Sequence, residues 1–261
     1  MNWHRIHALA LRHLYPLKRD FDLLSDMAYW PLVDTILWGV TSQWIADTSG
    51  VAGVATGILL GLVLWNVLWR SQSEVSRNLL DEILNNNIAN LFSTALTIKE
   101  WVVSVLLLSL LKTMITMSIL LPAVYLLYKV NVLQLGSWLA VFFVGATFTG
   151  WWIGFISAGI VLRYGLRMQT VVWTLPGIML PFSAVFFPLD RLPTFLQPIS
   201  RLVPTTYIFE TMRAIVAGAS VDYSMLAYSF GLNALFLSLA VWYFVRSFVY
   251  SKKLGLGRFS R

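Results

Sequence analysis

Six apolar runs, each near the length of a bilayer crossing, constrain this chain more than any other feature. They cover residues 28–45, 54–70, 101–128, 135–162, 170–187 and 225–245. A helix needs roughly 20 mostly apolar residues to cross the hydrocarbon layer. Unpaired backbone is costly there, so a spanning segment must satisfy its own amides. The runs at 101–128 and 135–162 are long enough to tilt or to project from the bilayer. The run at 170–187 is short and holds Pro176 and Pro181, which predicts a helix broken toward its far end. Composition points the same way. Of 261 residues, 58% are hydrophobic and 12% charged, against about 25% charged in soluble domains. Mean hydropathy is +0.72. The expected fold is an all-α membrane protein, a single transmembrane domain over residues 1–261 with six transmembrane helices.

The loops orient these spans. With six crossings both termini share a side. That side carries Arg5, Arg12, Lys18, Arg19, Arg77, Lys99, Arg163, Arg167, Arg246, Lys252, Lys253, Arg258 and Arg261. The other side carries only Lys129, Arg191, Arg201 and Arg213, with Asp47, Asp190 and Asp222 beside them. Cytoplasmic loops hold the excess of Lys and Arg, so both termini are expected in the cytoplasm. The formal charge of +7 is therefore a topology signal, and with no basic, aromatic-rich domain to carry it, nucleic acid is not an expected partner. The chain has no cysteine, which excludes disulfides, thiolate metal sites and cysteine catalysis. Residues 3–17 are interrupted by Arg5 and Arg12, so no cleavable signal peptide is expected.

The stretch FPLDRLPTFLQPISRLVP, residues 187–204, falls on the outer side before the last span. It holds Pro188, Pro193, Pro198 and Pro204. Thr194 is positioned to cap a short helix whose face is Phe195, Leu196, Ile199, Leu202 and Val203, with Pro198 in the first turn, where amides lack helical partners anyway. Pro204 would end it, and Thr205 or Thr206 would cap a second short helix running to about Ala217. Residues 188–217 read as a pair of re-entrant half-helices; the alternative is an exterior loop with two surface helices.

Two cytoplasmic segments stand apart. Over residues 1–27, Trp3, Ile6, Ala10, Leu14, Leu17, Phe21 and Leu24 recur at helical spacing, while Arg5, Arg12 and Arg19 recur every seven. This predicts an amphipathic interfacial helix, broken at Pro16, with its basic face toward anionic lipid head groups. A soluble regulatory helix is the alternative. Between the second and third runs, Leu79, Leu80, Ile83, Leu84, Ile88, Leu91 and Phe92 keep helical spacing. A cytoplasmic helix over 76–97 with an exposed apolar face suits docking into another protein; lying on the membrane surface is the other reading.

Individual residues carry further expectations. Lys112 lies mid-span, where a charge costs at least ~2.5–3.5 kcal/mol on insertion scales. Either it faces a translocation pathway or pairs with Asp34, or it snorkels or pairs purely for packing. Glu210 and Arg213 are three apart and predict an ion pair. Ala146, Gly150, Gly154 and Ala158, with Gly57 and Gly61, predict close helix packing within one protomer. Trp65, Trp69, Trp151 and Trp152 are expected at lipid-facing or interfacial positions. His4, His7 and His13 all lie in the N-terminal helix without a nearby carboxylate, so no metal site and no catalytic residues are expected. No GxxxxGK[ST] loop occurs, so the chain is not an ATPase. Intramembrane acids are too sparse for a proton relay, and no internal inverted repeat is apparent.

The order of parts resembles the permease subunits of type-2 ABC exporters over nearly the whole chain. The most specific stretch is FSAVFFPLDRLPTFLQPISRLVPTTYIFETMRAIVAG, residues 182–218. It resembles the family's run of Phe-Pro, Leu-Pro, short helix, Asn-Pro, Thr-Tyr and Arg-Ala, with Val203-Pro204 where Asn-Pro is commoner. NLFSTALTIKEWV, residues 90–102, is similar to the family's segment of Leu-Leu, Ser-Thr-Pro-Leu and a following apolar helix, with Ala95 in place of the usual Pro and no Gly-Thr just before it. WPLVDTILWG, residues 30–39, resembles the start of the first span.

The resemblance implies a homodimer with two copies of a separate ABC ATPase, which binds the ATP and Mg; no cofactor is implied for this chain. It places ATPase coupling at Asn85, Asn86, Asn87, Ile88, Leu91 and Phe92. It places an outer gate at Pro188, Pro193, Pro204, Glu210 and Arg213; Asp34 and Lys112 are the pathway candidates that their charges within the spans suggest. The implied function is ATP-driven export of a lipid-linked glycan, lipid or drug-like amphiphile across a bacterial or archaeal plasma membrane. A membrane-embedded lipid-modifying enzyme or a stand-alone secondary transporter remains the alternative.

Overall fold

The computed structural model describes residues 1–15, 21–50 and 53–256. The expected break at Pro16, the apolar Leu17 and the basic residues Lys18, Arg19, Arg258 and Arg261 lie outside the described residues. The described chain is helical, and no strand occurs among its residues. Helix α1 (Trp3–Leu14) is capped by the Asn2 side chain, which accepts from the His4 amide at 3.0 Å. Helix α2 (Phe21–Leu24) passes through a widened π turn at Ser25–Tyr29 into α3 (Trp30–Ser49), with Pro31 in the first turn of α3 where its missing amide costs nothing.

Helix α4 (Val54–Leu84) runs without interruption for 31 residues. The sequence reading stopped this span at Arg70 and began a separate cytoplasmic helix at Ser76; here the polar segment simply continues the span. A turn at Asn85–Asn87, with Asn86 in the left-handed region at φ 54°, leads to the short α5 (Ile88–Ser93). Asparagine tolerates that conformation better than most residues. Helix α6 (Ile98–Tyr128) starts with a reciprocal cap: Thr97 Oγ1 accepts from the Glu100 amide, and the Glu100 carboxylate accepts from the Thr97 amide.

The second half comprises α7 (Trp138–Tyr164), α8 (Val171–Met179), α9 (Gln197–Ser200), α10 (Pro204–Val216) and α11 (Tyr223–Lys253). Four helices, α4, α6, α7 and α11, are long and apolar enough to cross a membrane. The run at 28–45 forms the 20-residue α3. The run at 170–187 forms only the nine-residue α8 before a 3-10 turn at Leu180–Phe182. At 1.5 Å per residue, α4 and α6 reach ~46 Å, well beyond a ~30 Å hydrocarbon layer.

Helix α4 is the axis of the core, with α3, α6, α7 and α8 packed around it and α11 on the far side of α7. Its approach to α7 requires glycine. A Cβ at Gly150 would lie 2.5 Å from the Leu68 carbonyl oxygen, and one at Gly154 would lie 2.8 Å from that of Gln72. The small-residue stripe therefore packs within the chain, as expected. The tryptophans correct another expectation: Trp65, Trp151 and Trp152 are buried in this core rather than lipid-facing. Trp151 Nε1 donates to Ser109 Oγ at 3.0 Å, so its ring bridges α7 to α6 with its polar end satisfied.

Candidate functional site: a buried ion-pair network beneath the N-terminal helix

Charge enters the core on α4. Arg70, Glu74 and Asn78 repeat every four residues and so share one face. That face turns inward: Arg70, Glu74 and Asn78 are buried, and so is Lys112 of α6. Lys112 Nζ donates to Glu74 Oε2 at 2.7 Å. Arg70 reaches Asp26 at 2.7 Å and Glu74 Oε1 at 3.5 Å. Arg77 closes on the same Asp26 carboxylate, and Asn78 donates to Glu74. The widened π turn holds Asp26 between the two arginines. Isolated charges at this depth are expensive, so each is tolerated because it is paired and hydrogen-bonded.

A second acidic node lies one turn further along. Glu82 accepts from Arg12 at 2.9 Å and from Asn87, and the His13 ring stands 3.7 Å away. A third, Glu100, accepts from the Asn2 amide at 2.8 Å and faces Arg5 at 3.6 Å, while Arg5 also donates to the Ala95 carbonyl. Helix α1 is thereby fastened to both flanks of the α4–α5–α6 connection. Its inner face adds Ile6 and Leu9, both buried, and Ser104 Oγ donates to the Ile6 carbonyl at 3.0 Å. This revises the expected orientation of α1: Arg5 and Arg12 point to protein acceptors, not to lipid head groups.

Between these nodes lies a polar cavity of about 360 Å³ lined by Arg12, His13, Glu74, Arg77, Asp81 and Lys112 among others. Burial pushes the His13 imidazole down from its usual range to about 4, the most strongly felt of its surroundings, with Glu82 opposing and Lys112 and Arg12 reinforcing the shift.

The sequence-predicted residues separate into groups. Lys112 is in the network, but its partner is Glu74; Asp34 sits half-buried on α3 with no ion pair among the described residues. In the connection, Ile88 and Leu91 are buried and Phe92 packs on Phe248 at 4.5 Å between centroids. Most of the predicted exposed apolar face turns inward, because Leu79, Leu80 and Ile83 are buried as well; of that face Leu84 is exposed and Phe92 half-buried. What faces outward is mostly polar, Asn85, Asn86, Asn90, Ser93 and Thr94, with Leu84 and Ala95 exposed beside them.

At the other end, Glu210 and Arg213 do pair, at 2.8 Å. Glu210 also accepts from the Leu189 amide at 2.7 Å, and Arg213 donates to the Val185 carbonyl at 3.4 Å. Together they hold the 185–189 loop, including Pro188, on α10. Pro204 opens α10 in its first turn, with Val203 at the cap position and no side-chain cap from Thr205 or Thr206. Thr206 instead donates to the Phe182 and Ser200 carbonyls at 3.1 and 2.7 Å. The helix predicted from Thr194 shrinks to one turn, α9, and Phe195 and Leu202 of its expected face are exposed, as is Pro193.

Sequence reading missed Asp26, Arg70, Glu74, Glu82 and Glu100. The signal available was the four-residue recurrence of Arg70, Glu74 and Asn78 directly continuing an apolar run, which marks one polar stripe on one helix rather than a loop.

No protein-family model matches the chain, and a search of curated proteins gave no match either.

Proposed function

We propose that this chain is the transmembrane subunit of an ATP-binding-cassette exporter. It would move a lipid-linked glycan, lipid or drug-like amphiphile across the plasma membrane of a bacterium or archaeon. On this reading it forms a homodimer, both termini lie in the cytoplasm, and a separate ATPase subunit binds ATP and Mg.

The observation that carries the reading is the build of the α4–α5–α6 connection. A helix of 31 residues ends in a short exposed tip, mostly polar (Asn85, Asn86, Asn90) with Leu84 exposed at its base. The tip is locked on one flank through Glu82 and on the other through Glu100. A push on such a tip is passed to α1, α4 and α6 together, as coupling to a motor subunit demands. The resemblance of residues 182–218 to the family's outer segment supports the same reading. There the Glu210–Arg213 pair and the proline-rich loop form a closed outer cover over α4, consistent with a gate.

Because Ile88 and Leu91 are buried, the docking surface is expected on the polar tip instead. The test is affinity purification of the tagged chain from its own membranes, with mass spectrometry of what comes with it. A near-stoichiometric ATPase that is lost when Asn86 and Asn90 become Arg, while the chain still folds, supports the reading. Its absence under gentle extraction shifts the assignment to a stand-alone transporter or a lipid enzyme.

A further inference from the structure

We infer that the segment around α9 is a lipid-binding wedge: Phe195, Ile199 and Leu202 lie among acyl chains, and Arg201 holds the headgroup phosphate of an anionic lipid. The inference rests on the chain spanning a membrane and not on its being an exporter.

Contacts with the spanning helices fix the depth of this segment. Ser229 Oγ of α11 donates to the Pro204 carbonyl at 2.7 Å. Between Tyr223, where α11 begins, and Ser229 the helix rises ~9 Å at 1.5 Å per residue. Counting back the ~20 residues of a crossing from Arg246 sets the hydrocarbon boundary near Leu226. Pro204 therefore sits a few ångströms inside that boundary. A second tie agrees. Ser200 Oγ donates at 2.6 Å to the carbonyl of Phe182, which lies shortly before Val185. A Cβ at Gly61 would lie 2.6 Å from the Val185 carbonyl oxygen, and Gly61 stands ~10 Å into α4 from Val54. The α9 turn is thus level with the spanning helices, short of their ends.

At that level its outward side is apolar. Ser200 is fully buried, whereas Phe195 is 75% exposed, Leu202 58% and Ile199 46%. Arg201 stands exposed among them, its carbonyl accepting from the Tyr207 hydroxyl at 2.7 Å. Its guanidinium makes no hydrogen bond, ion pair or ring contact among the described residues. A bare charge at this depth is costly, and an arginine relieves the cost by extending toward the interface. Headgroup phosphates lie there, and the planar guanidinium matches their oxygens two at a time. The neighbouring charges leave Arg201 in excess. Asp190 and Arg191, both exposed at the start of the segment, offset each other, and Glu210 is paired with Arg213. A headgroup of net negative charge is therefore favoured over a zwitterionic one.

The chain has no cysteine, so a single reporter can be placed without background. Ile199→Cys, labelled with bimane, is reconstituted in nanodiscs of mixed phosphatidylglycerol and phosphatidylcholine, with brominated acyl chains on one lipid or the other. Leu239→Cys, on the exposed side of α11, is the reference. Brominated phosphatidylglycerol should quench the Ile199 label about fivefold more per molecule than brominated phosphatidylcholine does, and the Leu239 label equally. Arg201→Gln should remove that preference; the guanidinium holds no other side chain, so the fold is kept. Absence of quenching at Ile199, where water or a second copy of the chain would then cover the face, overturns the proposal. Equal quenching by the two lipids, or a preference that survives Arg201→Gln, overturns it too. No ATPase enters the experiment, so the exporter reading stands or falls separately.

Discussion

Lys112 of α6 donates to Glu74 of α4 at 2.7 Å, with both side chains withdrawn almost completely from solvent. Buried pairs of this kind contribute little net stability when intact, because desolvation offsets attraction; breaking one is costly, since it strands a charge. Lys112→Met is therefore expected to destabilise the chain by roughly 3–5 kcal/mol. Adding Glu74→Gln should recover most of the loss. Asp34→Asn should add to Lys112→Met independently, within about 0.5 kcal/mol, because no contact couples them. Unfolding in detergent, run as two double-mutant cycles, measures all three. Strong coupling to Asp34 and none to Glu74 would contradict the pairing.

The α4–α7 approach makes a prediction about backbone distance. Gly150→Ala would set a Cβ against the Leu68 carbonyl and the Ser71 Cβ at 2.5 and 2.7 Å. Backbone cannot swing aside, so the helices must part, at an expected cost of about 1–3 kcal/mol. Gly177 in α8 has nothing within 4 Å of the same position. Gly177→Ala should be neutral or stabilising by up to about 1 kcal/mol, from helix propensity alone. Thermal unfolding of the two variants side by side checks the contrast.

How far the sequence carried can be seen in individual residues. Run length and hydropathy found α4, α6, α7 and α11, because burial in lipid and burial in protein demand the same apolar residues. That equivalence also explains the errors. Trp65, Trp151 and Trp152 satisfy either environment, and only packing decided for the core. The apolar stripe of 79–92 was visible, but whether it faced outward depended on α11 supplying Phe248 opposite Phe92. The Glu210–Arg213 pair was legible because it is local, three residues apart on one helix. Lys112–Glu74 was not, because 38 residues separate its members. The Asp26–Arg70 pair had no local signal either, since it depends on a π turn that no spacing announces.

The 185–189 loop should loosen in a specific place. Glu210 accepts simultaneously from Arg213 and from the Leu189 amide. A hydrogen bond to a charged acceptor contributes about 1.5–3 kcal/mol. Glu210→Gln keeps the shape and removes the charge, so the Leu189 amide should exchange with solvent about tenfold faster. Amides in α4 and α7 should be unchanged. Hydrogen exchange resolved by peptide reads both, and a uniform rise across the chain would mean global destabilisation instead.

Finally, His13 gives the fold a defined sensitivity to acid. Its imidazole titrates at about 4 in the folded chain against 6.5 when free, chiefly because burial disfavours the cation. Glu82 and Glu74 pull the other way, and Lys112 and Arg12 assist the depression. Between these two values the unfolded chain binds the proton and the folded chain does not. Stability from this group is therefore fully present above pH 6.5 and is lost as pH falls from 6.5 toward 4. The slope is at most about 1.4 kcal/mol per pH unit, and the whole effect is a few kcal/mol. Carboxylates titrate in the same window, so the informative quantity is a difference. The unfolding free energy of the chain minus that of His13→Asn should fall with acid between pH 6.5 and 4 and be flat above. A flat difference across the whole range would show that His13 is solvated in the folded state.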